Sequence, residues 1–192
     1  MTFFTVGHST RTLQDFIEIL QAHGIRTSAD IRSYPVSRRM PWFQGPLRVN
    51  FLPANEAPAH EPLEVTLPRA GIDYVWLRGL GGRRKKLLEV SPNTALRSPA
   101  FRNYADYMLT SEFEQAIREL ETIGEHTRAC IMCAEAQVYY HCHRMLVSDY
   151  LLARGHTVLH IFGTGPAKPH QLSAEGKIQK GVLTYPAEPS LF

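Results

Sequence analysis

The sequence predicts an α/β fold, a single domain of about five mostly parallel strands with helices on both faces, and three observations predict it. Short apolar or β-branched runs alternate with stretches of helical period in the order β-α-β-(long loop)-β-α-β-α-β, the pattern of a parallel sheet with covered faces. The stretch from Arg128 to Phe162 condenses that order into one strand-loop-helix-strand unit. Charged and nucleophilic side chains fall at or just beyond the ends of the expected strands, where open α/β sheets bind their ligands.

Taken in order, Phe3 to Val6 is a short apolar strand, followed by a polar turn of Gly7, His8, Ser9 and Thr10. Thr12 caps a helix with Asp15 three residues on; Leu13, Phe16, Ile17 and Leu20 make its apolar stripe, and Gly24 closes it. Ile25 to Ile31 is the next strand, which Pro35 stops. From 33 to 68 seven prolines break any period, and Arg38, Arg39 and Arg48 are interleaved with Trp42, Phe43 and Phe51. This is a long excursion over the strand carboxyl rim, ordered in part by a short helix within His60 to Arg69. Gly71 to Leu77 is a strand that leaves into a basic loop, Gly79 to Lys86. Ser98 to Ile123 reads as helix, restarted where Ser111 and Glu114 form a capping-box pattern. Ala129 to Cys133 and Thr157 to Ile161 are buried strands. Between them Met145, Leu146, Tyr150 and Leu151 recur at helical spacing, and Gly155 ends that helix. A tail over 163–192, with His170 and a short edge strand at Val182 to Tyr185, is expected to wrap the surface.

Composition bounds the function classes. A chain of 192 residues with 44% apolar content buries one good core. A formal charge of +3 is mild and does not by itself demand a nucleic-acid partner. No apolar stretch approaches the roughly 18–20 residues that span a bilayer, and the first residues lack a basic start before an apolar run, so a soluble cytoplasmic protein is expected. Three cysteines, an odd number, fit a reducing compartment better than a disulfide framework.

VGHST before a helix, DIRSYPVSRRMPWF, GIDYVWLRGLGG, FRNYADYM, MCAE, and CHR before a helix together resemble the bacterial and archaeal proteins grouped as the domain of unknown function 488 family. The resemblance runs from about Thr5 to the tail. It implies the α/β fold and the choice of rim residues, and it brings no reaction with it. A looser likeness is to the anion cradle of rhodaneses and cysteine phosphatases, in which a strand and a cysteine lead through a loop to a helix beginning near an arginine. Here ten residues separate Cys133 from Arg144, none of them glycine, more than the tight loop of those enzymes.

The candidate site residues carry alternative roles. Asp30 and Glu135, at the ends of two strands, are the candidate general acid and base. Cys142 stands at a helix start beside His143 and Arg144, where dipole and charge favour a thiolate; its alternative is a capping role. Cys133 is a second thiol or a small buried hydrophobe at a strand end. Arg144 in a first helical turn opposes the dipole, so it calls for an anion: a bound ligand, or an ion pair with Glu135 or Asp30. His8 and Ser9 hold an anion through their amides and hydroxyl, or only shape the turn. His8 and His143 would also orient or polarise a substrate. Arg32, Arg38 and Arg39 with Trp42 suit phosphate contacts and base stacking, or form a solvated basic loop whose aromatics pack inward. Cys133, His141, Cys142 and His143 are zinc-type ligands, but eight residues between the cysteines depart from paired zinc spacing, so no cofactor is expected. Three functions follow. The first is a hydrolase or group transferase acting on a phosphate-bearing substrate, a nucleotide or nucleic acid. The second is a thiol or sulfur-transfer enzyme using Cys142 or Cys133, and the third a non-catalytic nucleic-acid-binding module.

Overall fold

The computed structural model describes residues 1–37, 39–45, 60–138 and 142–187. Five strands run parallel in one sheet: β1 (Thr2–Gly7), β2 (Thr27–Asp30), β3 (Asp73–Trp76), β4 (Ala129–Cys133) and β5 (Thr157–Ile161). A sixth, β6 (Lys168–Pro169), pairs antiparallel with β5 and gives the spatial order β3-β2-β4-β1-β5-β6. The expected α/β architecture is therefore the observed one, with one strand more than anticipated.

Helices cover both faces because the strands bury side chains on both. On one face α1 (Leu13–Ala22) and α2 (Leu63–Arg69) pack Phe16, Leu20, Leu63 and Leu67 against Phe4, Val6, Cys130 and Met132. On the other, α3 (Pro99–Tyr107), α4 (Ser111–His126) and α5 (Arg144–Ala153) pack Tyr104, Phe113, Ile117, Leu146 and Leu151 against Phe3, Ala29 and Ile131. Each fully buried side chain of this size contributes about 1.5–3 kcal/mol. The alternation of Phe3 and Phe4 between the two clusters is the two-residue period of a strand buried on both sides.

Local signals explain the ends. Thr12 Oγ1 accepts from the Asp15 amide at 3.1 Å, and the Thr12 amide donates to the Asp15 carboxylate at 3.3 Å, a reciprocal capping box. Gly24 and Gly155 stop α1 and α5 at φ +65 and +84, a region open to glycine. The break between α3 and α4 falls where expected, but Thr110 is the cap: its hydroxyl accepts from the Phe113 amide at 3.3 Å, and Ser111 is already helical.

The tail runs largely over the surface, as expected, but is anchored inside at His170, Leu183 and Tyr185. A hairpin of β7 (Lys177–Gln179) and β8 (Val182–Thr184) returns the chain so that Tyr185 is fully buried, and His170 is buried beside it. The cause is a polar hub that no local pattern announces. The Asp149 carboxylate, on α5, accepts from the Ser173 amide at 3.0 Å, the Ser173 hydroxyl at 2.5 Å and the Tyr185 hydroxyl at 3.0 Å, and it bonds His170 Nε2 at 2.7 Å. His170 Nδ1 meets His160 Nε2 at 2.9 Å, and His160 Nδ1 meets the Thr5 hydroxyl at 2.7 Å.

Candidate active site

The loops after β1 and β4, neighbours in the sheet, leave toward opposite faces, α1 on one and α5 on the other. A crevice opens where they part, the place such sheets use for ligands. The ladder continues past the strands: the His8 amide donates to the Cys133 carbonyl and the Ser9 amide to the Ala134 carbonyl, both at 2.9 Å. These two amides are thus consumed by the β4 loop, which corrects the expectation that they cradle an anion. The contact also holds Ser9 at φ +50, a left-handed conformation costly for a residue with a Cβ. Gly7 is obligatory beside it, because any Cβ there would collide with the Glu135 carbonyl oxygen.

Asp30 and Arg32 form a pair with each other rather than two halves of an open site. Arg32 Nε lies 2.9 and 3.0 Å from the two Asp30 oxygens and Nη2 2.5 Å from Oδ2. The Arg32 amide and the Tyr74 hydroxyl also donate to that carboxylate, at 3.0 and 2.7 Å. Asp30 is 0% exposed and its acceptors are taken, so the anticipated acid-base partnership with Glu135 is replaced by a buried, fully hydrogen-bonded ion pair. Arg32 edges the crevice, but Nη1 is committed to the Phe43 carbonyl at 2.8 Å.

What the crevice does gather is two thiols, with a buried guanidinium behind them. Cys133 ends β4, Cys142 lies just before α5, and their sulfurs are 3.0 Å apart, both thiols free. Arg144 is 1% exposed; Nη2 reaches the carbonyls of Glu135 and Ala136 at 3.2 and 3.4 Å, while Nε and Nη1 have no hydrogen-bond partner among the described residues. Among the described residues no carboxylate pairs with Arg144, which corrects the expected ion pair with Glu135 or Asp30. A buried cation left unpaired costs several kcal/mol, so an anion must stand near it. The thiol pair lies close enough to feel its charge. Burial pushes the Cys133 thiol up, but the hydrogen bond from Cys142 and the charge of Arg144 more than reverse that and hold it below the usual range. The Cys142 thiol is pushed well up, first by keeping its proton for Cys133 and then by burial. The two thiols are thus pulled in opposite directions, the strand-end cysteine toward greater acidity and the cysteine before α5 toward less.

Two adjoining hollows of about 820 and 810 Å³ lie along this rim, and Val36, Arg83, Ala134 and Glu135 line both. Cys133, Cys142 and His143 border the first; His8, Ser9 and Arg39 border the second. Glu135 is exposed at their shared edge. His143 is held through Nε2 on the Ile31 carbonyl at 3.1 Å, and Gly82 leaves room for its ring. Phe43 is fully buried, stacked on His8 with ring centroids 4.2 Å apart, and Trp42 Nε1 donates to the Arg11 carbonyl at 3.1 Å. Phe43 and, in part, Trp42 therefore pack inward, whereas Tyr34 of the same excursion stays exposed. Arg38, Arg48, Phe51 and His141 lie outside those residues.

Burial lowers His8 and His143 to about 4 and His160 to about 3. Because the unfolded chain takes up these protons near 6.5 and the folded one does not, stability is complete above pH 6.5. It falls as pH drops from there toward 4, by about 1.4 kcal/mol per pH unit for each fully coupled histidine. Thermal unfolding followed between pH 4.5 and 7.5 checks this: the midpoint rises to about pH 6.5 and then levels, and a flat profile across the lower range contradicts it.

The paired cysteines are the site feature the sequence reading missed, although a signal was present. A loop from a parallel strand into the next helix returns over the strand end, so residues bracketing it meet whatever their spacing. Among the described residues no group of three or more His, Cys, Asp or Glu is arranged to hold a metal ion, and no helix is long and apolar enough to cross a membrane. No curated protein and no solved structure matches the chain. A family model does match, over residues 12–151, spanning α1 through most of α5 and including both cysteines and Arg144. The chain therefore belongs to the family described as Domain of unknown function DUF488.

Proposed function

We propose that this protein is a thiol-dependent transfer enzyme in which Cys133 takes a group from a substrate seated in the crevice between β1 and β4. The observation that carries the reading is the Cys133–Cys142 contact of 3.0 Å at the edge of an open hollow, beside a buried arginine with two unpaired N–H positions. A thiolate is the reactive form of cysteine, and a fixed positive charge that costs energy without an anion is what maintains one at neutral pH. Arg144 also opposes the dipole of its own helix, so its position is explained by the charge it faces rather than by helix stability. His143, neutral and hydrogen-bonded, is placed to position a substrate at the same hollow.

A second reading keeps the same cleft for a phosphate-bearing substrate. Arg83 lines both hollows and Arg39 the second, which favours an anionic group; Glu135 at the shared edge would then serve as acid or base. Turnover separates the two. With excess reductant, thiosulfate, an organic persulfide and a small disulfide are offered as sulfur donors beside a panel of phosphate esters. The thiol reading expects turnover of at least one sulfur donor, lost in Cys133→Ser and kept in Glu135→Gln. Hydrolysis of a phosphate ester that persists in Cys133→Ser rejects it in favour of the second reading.

A further inference from the structure

We propose that Cys142 is the resolving thiol of a two-electron dithiol–disulfide cycle, and that the substrate of the crevice is a disulfide bearing carboxylates. The inference rests on the thiol reading and adds a partner, a product and a substrate class to it. A single nucleophilic cysteine needs no second sulfur, yet Cys142 stands 3.0 Å away, within about 1 Å of the roughly 2.05 Å bond length of a disulfide. The two sulfurs differ in how they are held. Cys133 is fixed by the β ladder, opposite Gly7 and with its carbonyl on the His8 amide, whereas Cys142 precedes the first turn of α5 and is outside any strand or helix. A small shift of the latter closes the bond while the sheet stays still. The third thiol does not compete: Cys130 is fully buried on the opposite face of the sheet, among Phe4, Phe16 and Met132.

The chemistry balances. The Cys133 thiolate attacks one sulfur of a disulfide, forming a mixed disulfide and expelling the first half as a thiolate. The Cys142 thiol, giving up its proton, then attacks Cys133 Sγ, expels the second half and leaves a Cys133–Cys142 disulfide. The substrate disulfide is reduced by two electrons, the dithiol is oxidised by two, and an external dithiol returns the protein to its starting state. Charge selects the substrate. Arg83 on both hollows and Arg39 on the second outnumber the one carboxylate of their lining, Glu135, and favour carboxylates on the substrate and the thiolates it releases.

The test uses dithiobis(nitrobenzoate), a disulfide with one carboxylate on each half, at one equivalent, with release of the coloured thiolate and intact mass read together. Wild-type protein is expected to release two equivalents, keep no adduct and lose two hydrogens. Cys142→Ser releases one equivalent and keeps a single adduct on Cys133, and Cys142→Ala does the same. Wild-type protein that stops at one equivalent with the adduct retained overturns the resolving role and leaves the thiol reading intact. A Cys133→Ser variant that reacts as fast as wild type overturns the thiol reading itself.

Discussion

Asp149→Ala is expected to cost about 3–5 kcal/mol of folding stability, the range for breaking a buried ionic or charge-assisted network by removing one partner. The carboxylate is 0% exposed and gathers Ser173, His170 and Tyr185 from three points of the tail onto α5. That loss is the cost of leaving the Tyr185 hydroxyl and His170 Nε2 without this acceptor in the interior, about 1–3 kcal/mol each, unless the tail detaches. Detachment is the expected relief. Limited proteolysis should then cut between 163 and 187 before the sheet unfolds, and urea denaturation should report the loss of stability. Asp149→Asn keeps the shape and part of the hydrogen bonding and is expected to lose less. A loss below about 1 kcal/mol for the alanine variant would show that the hub is not what holds the tail.

Arg144→Met is expected to separate function from stability. Removing the guanidinium removes the second of the influences that hold the Cys133 thiol down, after the Cys142 hydrogen bond, and an opposite charge at close range shifts such a group by about 1–3 units. The thiolate fraction at neutral pH, and with it the alkylation rate, should fall by about tenfold to a thousandfold. Stability should hold or rise, because a cation with two unpaired N–H positions is replaced by an apolar side chain in a fully buried site. A variant that unfolds while its thiol keeps wild-type reactivity would reverse the roles given to this arginine. The same reasoning accounts for the Ser9 φ of +50: local cost is retained where the loop after β1 must meet the loop after β4.

Sequence patterning made the sheet and its helices legible because their signals are local. Thr12 with Asp15, Gly24, Gly155 and the apolar run Ala129 to Cys133 each act within a few residues of the feature they specify. The rim was legible as a place, since strand ends converge in a parallel sheet, but its internal partnerships were not. Asp30 and Arg32 are two residues apart and still could not be told from open catalytic groups, because only the Tyr74 hydroxyl and the Phe43 carbonyl, from distant parts of the chain, close the pair off. Helix-dipole reasoning points to Cys142 as the more acidic thiol; contact with Cys133 and the charge of Arg144, which packing decides, shift that acidity toward the strand end. The anchoring of the tail is hidden for a similar reason. Its anchor, Asp149, lies in the middle of an apolar helix face, where a lone acidic residue gives no hint of three partners beyond residue 169.

The most direct measurement is the rate of alkylation by iodoacetamide as a function of pH, with the modified peptide identified by mass. The account predicts that Cys133 is modified first and that its rate inflects clearly below the ordinary thiol value of about 8.5. An inflection at or above that value, or first modification at Cys142, would contradict the thiolate on which the proposed chemistry depends.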